Sequence, residues 1–246
     1  MTETAILPNS TSELKTNFSV SCGRPWLVAE FGSSTRMVSW SLNRPGFATA
    51  TKIAWLEVGN EELIHVDEPL SWFQRRLEAE GLGDAVGLIT ARNVSRFEIA
   101  TAVVEGVRAD CLITLGLNNG ETVGQRQDPT HHPLNAGTIN ILSSVSVPLT
   151  DGALLEMSSI ATQARTTALV RFGYRRPFMN DIVTGTGTDC IVAAAPLSEE
   201  PTGYAGMHTA VGEAVGRSVL EATTTAATTW FEDWCTPSAV AYIREG

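Results

Sequence analysis

The chain has 246 residues, of which 43% are hydrophobic and 18% are charged, a composition typical of a globular protein with a substantial core. Its net charge of −10 argues against a nucleic-acid-binding surface, which would need clustered Lys and Arg. The longest apolar run falls short of the ~18–20 residues of a membrane helix, and the N-terminus lacks a signal-peptide pattern. We therefore expect a cytoplasmic protein that binds neither nucleic acid nor membrane.

Residues 1–23 are rich in Ser, Thr and Asn without a sustained period, which predicts a flexible N-terminal arm. A single domain is expected over residues 24–246. From Trp26 onward, short runs of β-branched and aromatic residues alternate with turn residues, a pattern typical of strands. The predicted strands cover residues 26–31, 37–42, 53–58, 85–89, 97–104, 111–117, 137–142 and 190–195.

Three helices are also predicted. The first has Asp67 as its N-cap and ends at Gly81, and the longest runs from Asp151 to about Phe172. The third covers residues 209–229. The fold class that follows is α+β, with a mixed, largely antiparallel sheet of about eight strands covered by about three helices.

The stretch 184–216 has the composition of a small-molecule site, because a loop rich in Gly and Thr leads into an apolar strand. Asp189 opens that strand and is a candidate general base, although it could also cap neighbouring hydroxyls. His208, at the mouth of the third helix, is a candidate acid or base. Glu213 is a third candidate, with a surface ion pair to Arg217 as the structural alternative. The loop residues expected to contact the ligand are Thr184, Gly185, Thr186, Gly187 and Thr188.

Polar residues at other strands are expected to complete this site. Thr90 ends one predicted strand, and Thr138 and Asn140 alternate with isoleucines on another. The half-exposed strand is an equally weighted alternative for the second pair. Cys190 as a catalytic thiolate is disfavoured, because nothing nearby in the sequence would lower its pKa.

The loop over residues 118–135 is longer than the usual ~4–6-residue connection, which favours a lid or binding role. It holds Asp128, His131 and His132, which could be imagined as a metal site. Adjacent histidines flanked by prolines do not converge on one ion, so we expect no bound metal.

Several blocks, in order, resemble the adenosylcobinamide amidohydrolase family of archaeal-type corrinoid salvage enzymes. They are Gly-Leu-Ile-Thr-Ala (87–91), Gly-Thr-Ile-Asn-Ile (137–141), Ala-Thr-Gln-Ala-Arg (161–165), Thr-Gly-Thr-Gly-Thr-Asp (184–189) and Gly-Met-His-Thr-Ala-Val-Gly-Glu (206–213). The resemblance covers about residues 26–222. One departure is that Gln163-Ala164-Arg165 stands where the family is expected to have Glu-Ala-Lys.

The resemblance implies hydrolysis of the amide that joins aminopropanol to the corrin ring of adenosylcobinamide, giving adenosylcobyric acid and 1-amino-2-propanol. The partner is then a small corrinoid that carries its own cobalt, and no cofactor is needed. Asp189 or His208 would activate water, and Thr186, Thr188, Thr138 or Asn140 would donate to the oxyanion. A threonine nucleophile is an alternative within this mechanism. A non-catalytic corrinoid-binding protein is the alternative function, suggested by Gln163.

Overall fold

The computed structural model describes residues 16–59, 62, 66–125, 137–176 and 180–234. The elements follow the order β1 (Phe18–Gly23), β2 (Trp26–Ser39), β3 (Gly46–Glu57), α1 (Pro69–Ala79), β4 (Val86–Thr90), a 3₁₀ turn (Val94–Arg96), β5 (Glu98–Val104), β6 (Val107–Leu115), β7 (Gly120–Glu121), β8 (Ile139–Val145), α2 (Asp151–Phe172), β9 (Gly185–Thr186), β10 (Cys190–Pro196) and α3 (Ala210–Trp234). The prediction of an α+β fold is confirmed.

Eight strands form one sheet, in which seven follow the order β4-β3-β2-β10-β8-β6-β5 and β1 pairs with β2. The pairs β3–β4 and β8–β10 are parallel and the other pairs are antiparallel, so the sheet is mixed and largely antiparallel, as predicted. The sheet also curls. Three strands separate β4 from β8 in the sheet order, yet Asn140 Nδ2 in β8 donates to the carbonyl of Ile89 in β4 at 2.8 Å. β7 and β9 form a separate two-stranded ribbon.

Side chains alternate between the two faces of the sheet, as the pleat requires. In β8, Ile139 and Ile141 pack against α2 and α3, whereas Leu142 belongs to a second core cluster with Phe18 and Phe31 on the opposite face. α1 covers a third cluster beside β3 and β4. None of the helices in the described part of the chain is long and apolar enough to cross a membrane.

The bounds of α2 match the prediction because both ends have strong local signals. Thr150 Oγ1 accepts from the Ala153 amide at 3.2 Å at the N-cap. Gly173 closes the helix with φ of 75°, a left-handed conformation in which glycine meets no Cβ penalty.

Other predicted boundaries were wrong. Residues 18–23, assigned to the flexible arm, form β1, while residues 1–15 lie outside the described residues. The predicted strand 26–31 and residues 37–39 of the predicted strand 37–42 belong to one 14-residue strand whose register shifts between Glu30 and Thr35, and residues 40–42 lie beyond its end. A bulge of this kind accommodates extra residues without ending the strand. Because the bulge contains polar residues, the sequence there looks like a turn between two strands. The N-cap of α1 is Glu68 rather than Asp67, and α3 extends to Trp234.

Candidate functional site

A cleft of about 770 Å³ lies at one end of the curled sheet, where β4 ends and β8 and β10 begin. Its volume is within the range of small-molecule sites. Six residues that the sequence singled out line it, namely Thr90, Thr138, Asn140, Gly187, Thr188 and Asp189. The curl explains this convergence, because it brings β4 to the start of β8.

Asp189 lies in the wall of the cleft and is held by a buried ion pair. Its carboxylate contacts Arg165 Nη1 from α2, and the two side chains are only 10% and 11% exposed. Oδ2 also accepts from the Thr186 amide at 3.0 Å, and Oδ1 accepts from the Ile139 amide at 3.1 Å and from the Thr186 hydroxyl. A carboxylate has about four acceptor positions. Those of Asp189 are therefore filled by protein donors.

The Arg165 guanidinium is charged despite its burial. Burial lowers its pKa to about 10, which leaves it protonated at neutral pH. The approach of Arg165 to Asp189 requires a glycine at position 185, since a Cβ there would lie 2.7 Å from both Arg165 Nη1 and Asp189 Oδ2. The glycine of the 184–189 block therefore makes room for the ion pair.

Threonine hydroxyls join the two loops that form the polar wall of the cleft. Thr138 Oγ1 donates to the Thr188 carbonyl at 2.9 Å, and Thr188 Oγ1 lies 3.4 Å from the Gly137 carbonyl. Thr90 Oγ1 accepts from the Arg92 amide at 3.0 Å. Among these, Thr188 is exposed at the cleft.

The mouth of the cleft is apolar. Trp40 and Leu42 line it and are 51% and 44% exposed, and Leu70, next to the lining residue Pro69, is 50% exposed. The indole Nε1 of Trp40 donates to the Asp189 carbonyl, which fixes the ring beside the polar wall. An exposed apolar rim around a polar interior is typical of a ligand site.

Two acceptors in the cleft wall were not predicted as site residues. Glu121 and Asn119 both line the cleft, and Glu121 Oε2 and Asn119 Oδ1 are buried without a hydrogen-bond partner in the described structure. Glu121 Oε1 lies 3.8 Å from Arg176 Nη1. Buried polar atoms are nearly always paired, so unpaired acceptors in a cleft point to a ligand or water.

The Cys190 side chain also lines the cleft but is a poor nucleophile. Burial raises the pKa of its thiol to about 12, so the reactive thiolate is scarce at neutral pH. The expectation that Cys190 is not a catalytic thiolate agrees with its surroundings.

The structure does not bring His208 and Glu213 to the cleft. β10 runs seven residues from Cys190 to Pro196, roughly 20 Å at ~3.3 Å per residue, and His208 follows that far end. His208 is exposed before α3, and Glu213 forms the surface pair with Arg217, which was the structural alternative.

The block 206–213 instead caps α3. The Thr209 hydroxyl donates to the Gly206 carbonyl at 2.8 Å and accepts from the Gly212 amide at 3.0 Å. A Cβ at Gly212 would lie 2.1 Å from the Gly206 carbonyl oxygen, so this glycine permits a tight helix entry. His208 and Glu213, both predicted as site residues, therefore do not line the cleft in the described structure.

Three other predicted ligand contacts lie behind the wall of the cleft rather than in it. Gly185 and Thr186 form β9, which pairs with Gly120 and Glu121 of β7, and Thr186 bonds to Asp189. The Thr184 hydroxyl accepts from the Val123 amide at 2.8 Å. None of the three lines the cleft in the described structure.

Arg165, which holds Asp189 in place, is a further residue that was not predicted as part of the site. Gln163, two positions away, is exposed and its amide donates to Ser159 Oγ at 3.1 Å. The departure at Gln163 thus lies on the solvent side of α2. Arg165 follows Ala161 by four residues on the apolar stripe, and a charge on such a stripe is a signal for a buried partner.

The predicted loop at 118–135 is described only to residue 125, so Asp128, His131 and His132 lie outside the described residues. In the part of the chain that is described, no group of three or more His, Cys, Asp or Glu side chains could hold a metal ion.

Comparison with known proteins gives one curated relative and several solved structures. An uncharacterised protein of Methanocaldococcus jannaschii is 38% identical over 91 residues, and the match spans 35% of each chain, about a third of that relative's length. A Burkholderia sp. beta-aminopeptidase has a TM-score of 0.40 at 14% identity, over 83% of this chain and 78% of that chain. The L-aminopeptidase D-Ala-esterase/amidase of Ochrobactrum anthropi has a TM-score of 0.37 at 11% identity, over 87% and 83%.

The family comparison covers almost the whole chain. The profile described as adenosylcobinamide amidohydrolase matches residues 9–233, which include every strand of the main sheet and the cleft. The resemblance read from the sequence blocks is therefore confirmed, and the chain belongs to the adenosylcobinamide amidohydrolase family.

Proposed function

We propose that the protein hydrolyses the amide that joins aminopropanol to the corrin ring of adenosylcobinamide, giving adenosylcobyric acid and 1-amino-2-propanol. One observation carries the proposal: four of the five sequence blocks that resemble the family converge on one cleft. Blocks 87–91, 137–141 and 184–189 supply lining residues, and block 161–165 supplies Arg165, which binds Asp189.

The lining of the cleft suits a large ligand that combines an apolar face with amide side chains. The exposed rim of Trp40 and Leu42 offers apolar area to the face of a macrocycle. Behind the rim, a polar wall can bind one amide arm of the ligand. It is formed by Thr138, Asn140, Gly187, Thr188 and Asp189. The macrocycle would then rest at the mouth while the scissile amide enters the cleft.

Amide hydrolysis needs a base for water and donors for the tetrahedral oxyanion. We assign Asp189 to positioning, because protein donors fill its acceptor positions and it has no free lone pair for a water proton. The Thr138 and Thr186 hydroxyls already donate to protein acceptors. Asn140 uses one amide hydrogen for the Ile89 carbonyl and keeps a second one, so Asn140 is the first oxyanion donor we favour. The exposed Thr188 is the second, because its hydroxyl has only a long bond of 3.4 Å to the Gly137 carbonyl, which it can exchange for the substrate.

The proposed reaction uses no protein-bound metal or cofactor, since the cobalt arrives as part of the substrate. Amide hydrolysis requires only proton transfer and charge stabilisation, which side chains can supply. We expect the reaction to persist after prolonged treatment with a chelator.

The test is to incubate the purified protein with adenosylcobinamide and follow adenosylcobyric acid and aminopropanol by mass spectrometry. Equimolar appearance of the two products supports the proposal. Tight binding without either product would refute hydrolysis and support the alternative, a non-catalytic corrinoid-binding protein. The variant Trp40→Ala should raise KM several-fold with little change in kcat, since it removes ring contact that is the same in ground and transition states. Trp72→Ala, on α1, is the matched control.

A further inference from the structure

We propose that Glu121 is the general base of the reaction, a role that rests on the proposed amide hydrolysis. Glu121 lines the cleft from β7, opposite Gly185 in β9. The ribbon thus holds its side chain next to the loop that ends in Asp189.

Among the described residues that line the cleft, Glu121 is the ionisable residue best placed to accept a proton. The ionisable side chains there are Glu121, Asp189 and Cys190. Asp189 has its acceptor positions filled, and the Cys190 thiol has a pKa raised to about 12 by burial. Of these three ionisable residues, only Glu121 has an acceptor oxygen that binds no other protein atom in the described structure.

The two oxygens of Glu121 have different surroundings. Oε1 is near Arg176 Nη1, at 3.8 Å, and Arg176 also donates to the Gly120 carbonyl at 3.3 Å, so the guanidinium is anchored beside the strand. Oε2 is buried and unpaired. Arg176 thus orients the carboxylate through Oε1, while Oε2 is left to accept a proton.

Asn119 completes a water site. Its Oδ1 is a second buried acceptor without a described partner, two residues before Glu121, and it lines the same cleft. A water molecule that donates one hydrogen to Glu121 Oε2 and the other to Asn119 Oδ1 would give each of these unpaired acceptors a hydrogen bond. Its oxygen lone pairs would then be free to face the substrate.

The proton that Glu121 takes from water is returned to the leaving amine within one turnover. Glu121 takes one proton from this water as the water oxygen bonds to the amide carbon, giving a tetrahedral oxyanion. Glu121 then passes that proton to the amide nitrogen, the C–N bond breaks, and the amine leaves. The products are a carboxylic acid and an amine, and the Glu121 carboxylate is restored.

The test compares Glu121→Gln with the wild type in the adenosylcobinamide assay. The amide keeps the size and the contact with Arg176 but cannot take the proton, so kcat should fall by ~10²–10⁴-fold with KM within about three-fold. Glu221→Gln, an exposed position on α3, is the matched control and should stay within about two-fold of the wild type. Glu121→Ala should be equally slow but regain activity in formate and not in chloride, which a merely structural role would not produce.

Two results would overturn the assignment. A kcat of Glu121→Gln within tenfold of the wild type, in a correctly folded variant, would remove Glu121 from the reaction while hydrolysis itself stands. A wild-type protein that forms no product would refute the proposed function, and the role of Glu121 with it.

Discussion

Removing the charge of Arg165 is the perturbation that most directly tests the architecture of the site. In Arg165→Met the buried Asp189 carboxylate loses its counter-ion, and breaking a buried pair costs ~3–5 kcal/mol. Three donors from Thr186 and Ile139 remain on the carboxylate, so we expect the lower end, ~3 kcal/mol. With a urea m-value of ~3 kcal/mol/M, the unfolding midpoint should fall by ~1 M.

The assay is urea unfolding followed by circular dichroism, with Arg217→Met as the matched control. Arg217 pairs with Glu213 on the surface, where the side chains are 63% and 46% exposed, so the control should lose only ~0.3–0.5 kcal/mol. The double variant Arg165→Met/Asp189→Asn should cost less than the sum of the single variants, because it removes both charges. A midpoint for Arg165→Met within ~0.3 M of the wild type would refute the ion pair as a structural element.

Two further predictions concern α2. Gln163→Glu should leave the rate of product formation within about two-fold of the wild type, since Gln163 faces solvent; a large gain in rate would show that the departure from Glu-Ala-Lys matters. The second prediction concerns pH. Arg36 lowers the pKa of Asp151 in the folded protein by hydrogen bonding. The pair therefore stabilises the fold at pH values above the pKa that Asp151 has in the unfolded chain, and this stabilisation is lost as the pH falls through the pKa in the folded protein. Asp151→Asn should therefore be less stable than the wild type by ~0.5 kcal/mol at pH 7 and equally stable near pH 2. Chemical denaturation at the two pH values measures this difference. A difference that is the same at both pH values would contradict a stabilising role of the Arg36–Asp151 pair.

Local signals made much of the fold predictable. The helix α2 was read correctly because the turn before it and Gly173 after it have conformational preferences that do not depend on distant contacts. The long strand β2 was split in two because its irregularity near Glu30 carries polar residues, and the pairing with β3 that keeps it extended is not local.

The site was predictable in part, for a similar reason. Asp189, Thr138 and Asn140 stand at or next to strand ends and line one cleft, and their polar character among apolar neighbours is a local signal. His208 was grouped with them through closeness in sequence, although the length of β10 separates the two ends. Arg165 and Glu121 could not be placed from the sequence, because both depend on contacts between distant segments. Arg165 meets Asp189 from α2, and Glu121 is held at the cleft by the pairing of β7 with β9.

The ribbon of β7 and β9 also determines how the site moves. Two hydrogen bonds add to the pairing of β7 with β9. The Thr122 hydroxyl donates to the Ile182 carbonyl at 2.9 Å, and the Thr184 amide donates to the Glu121 carbonyl at 2.9 Å. Two short loops that would each fluctuate alone are thereby joined into one cooperative unit. Amide hydrogens on both sides of the ribbon should exchange with solvent at a common rate, and the conformational entropy of ordering Glu121 beside Asp189 is lost during folding instead of when the substrate binds.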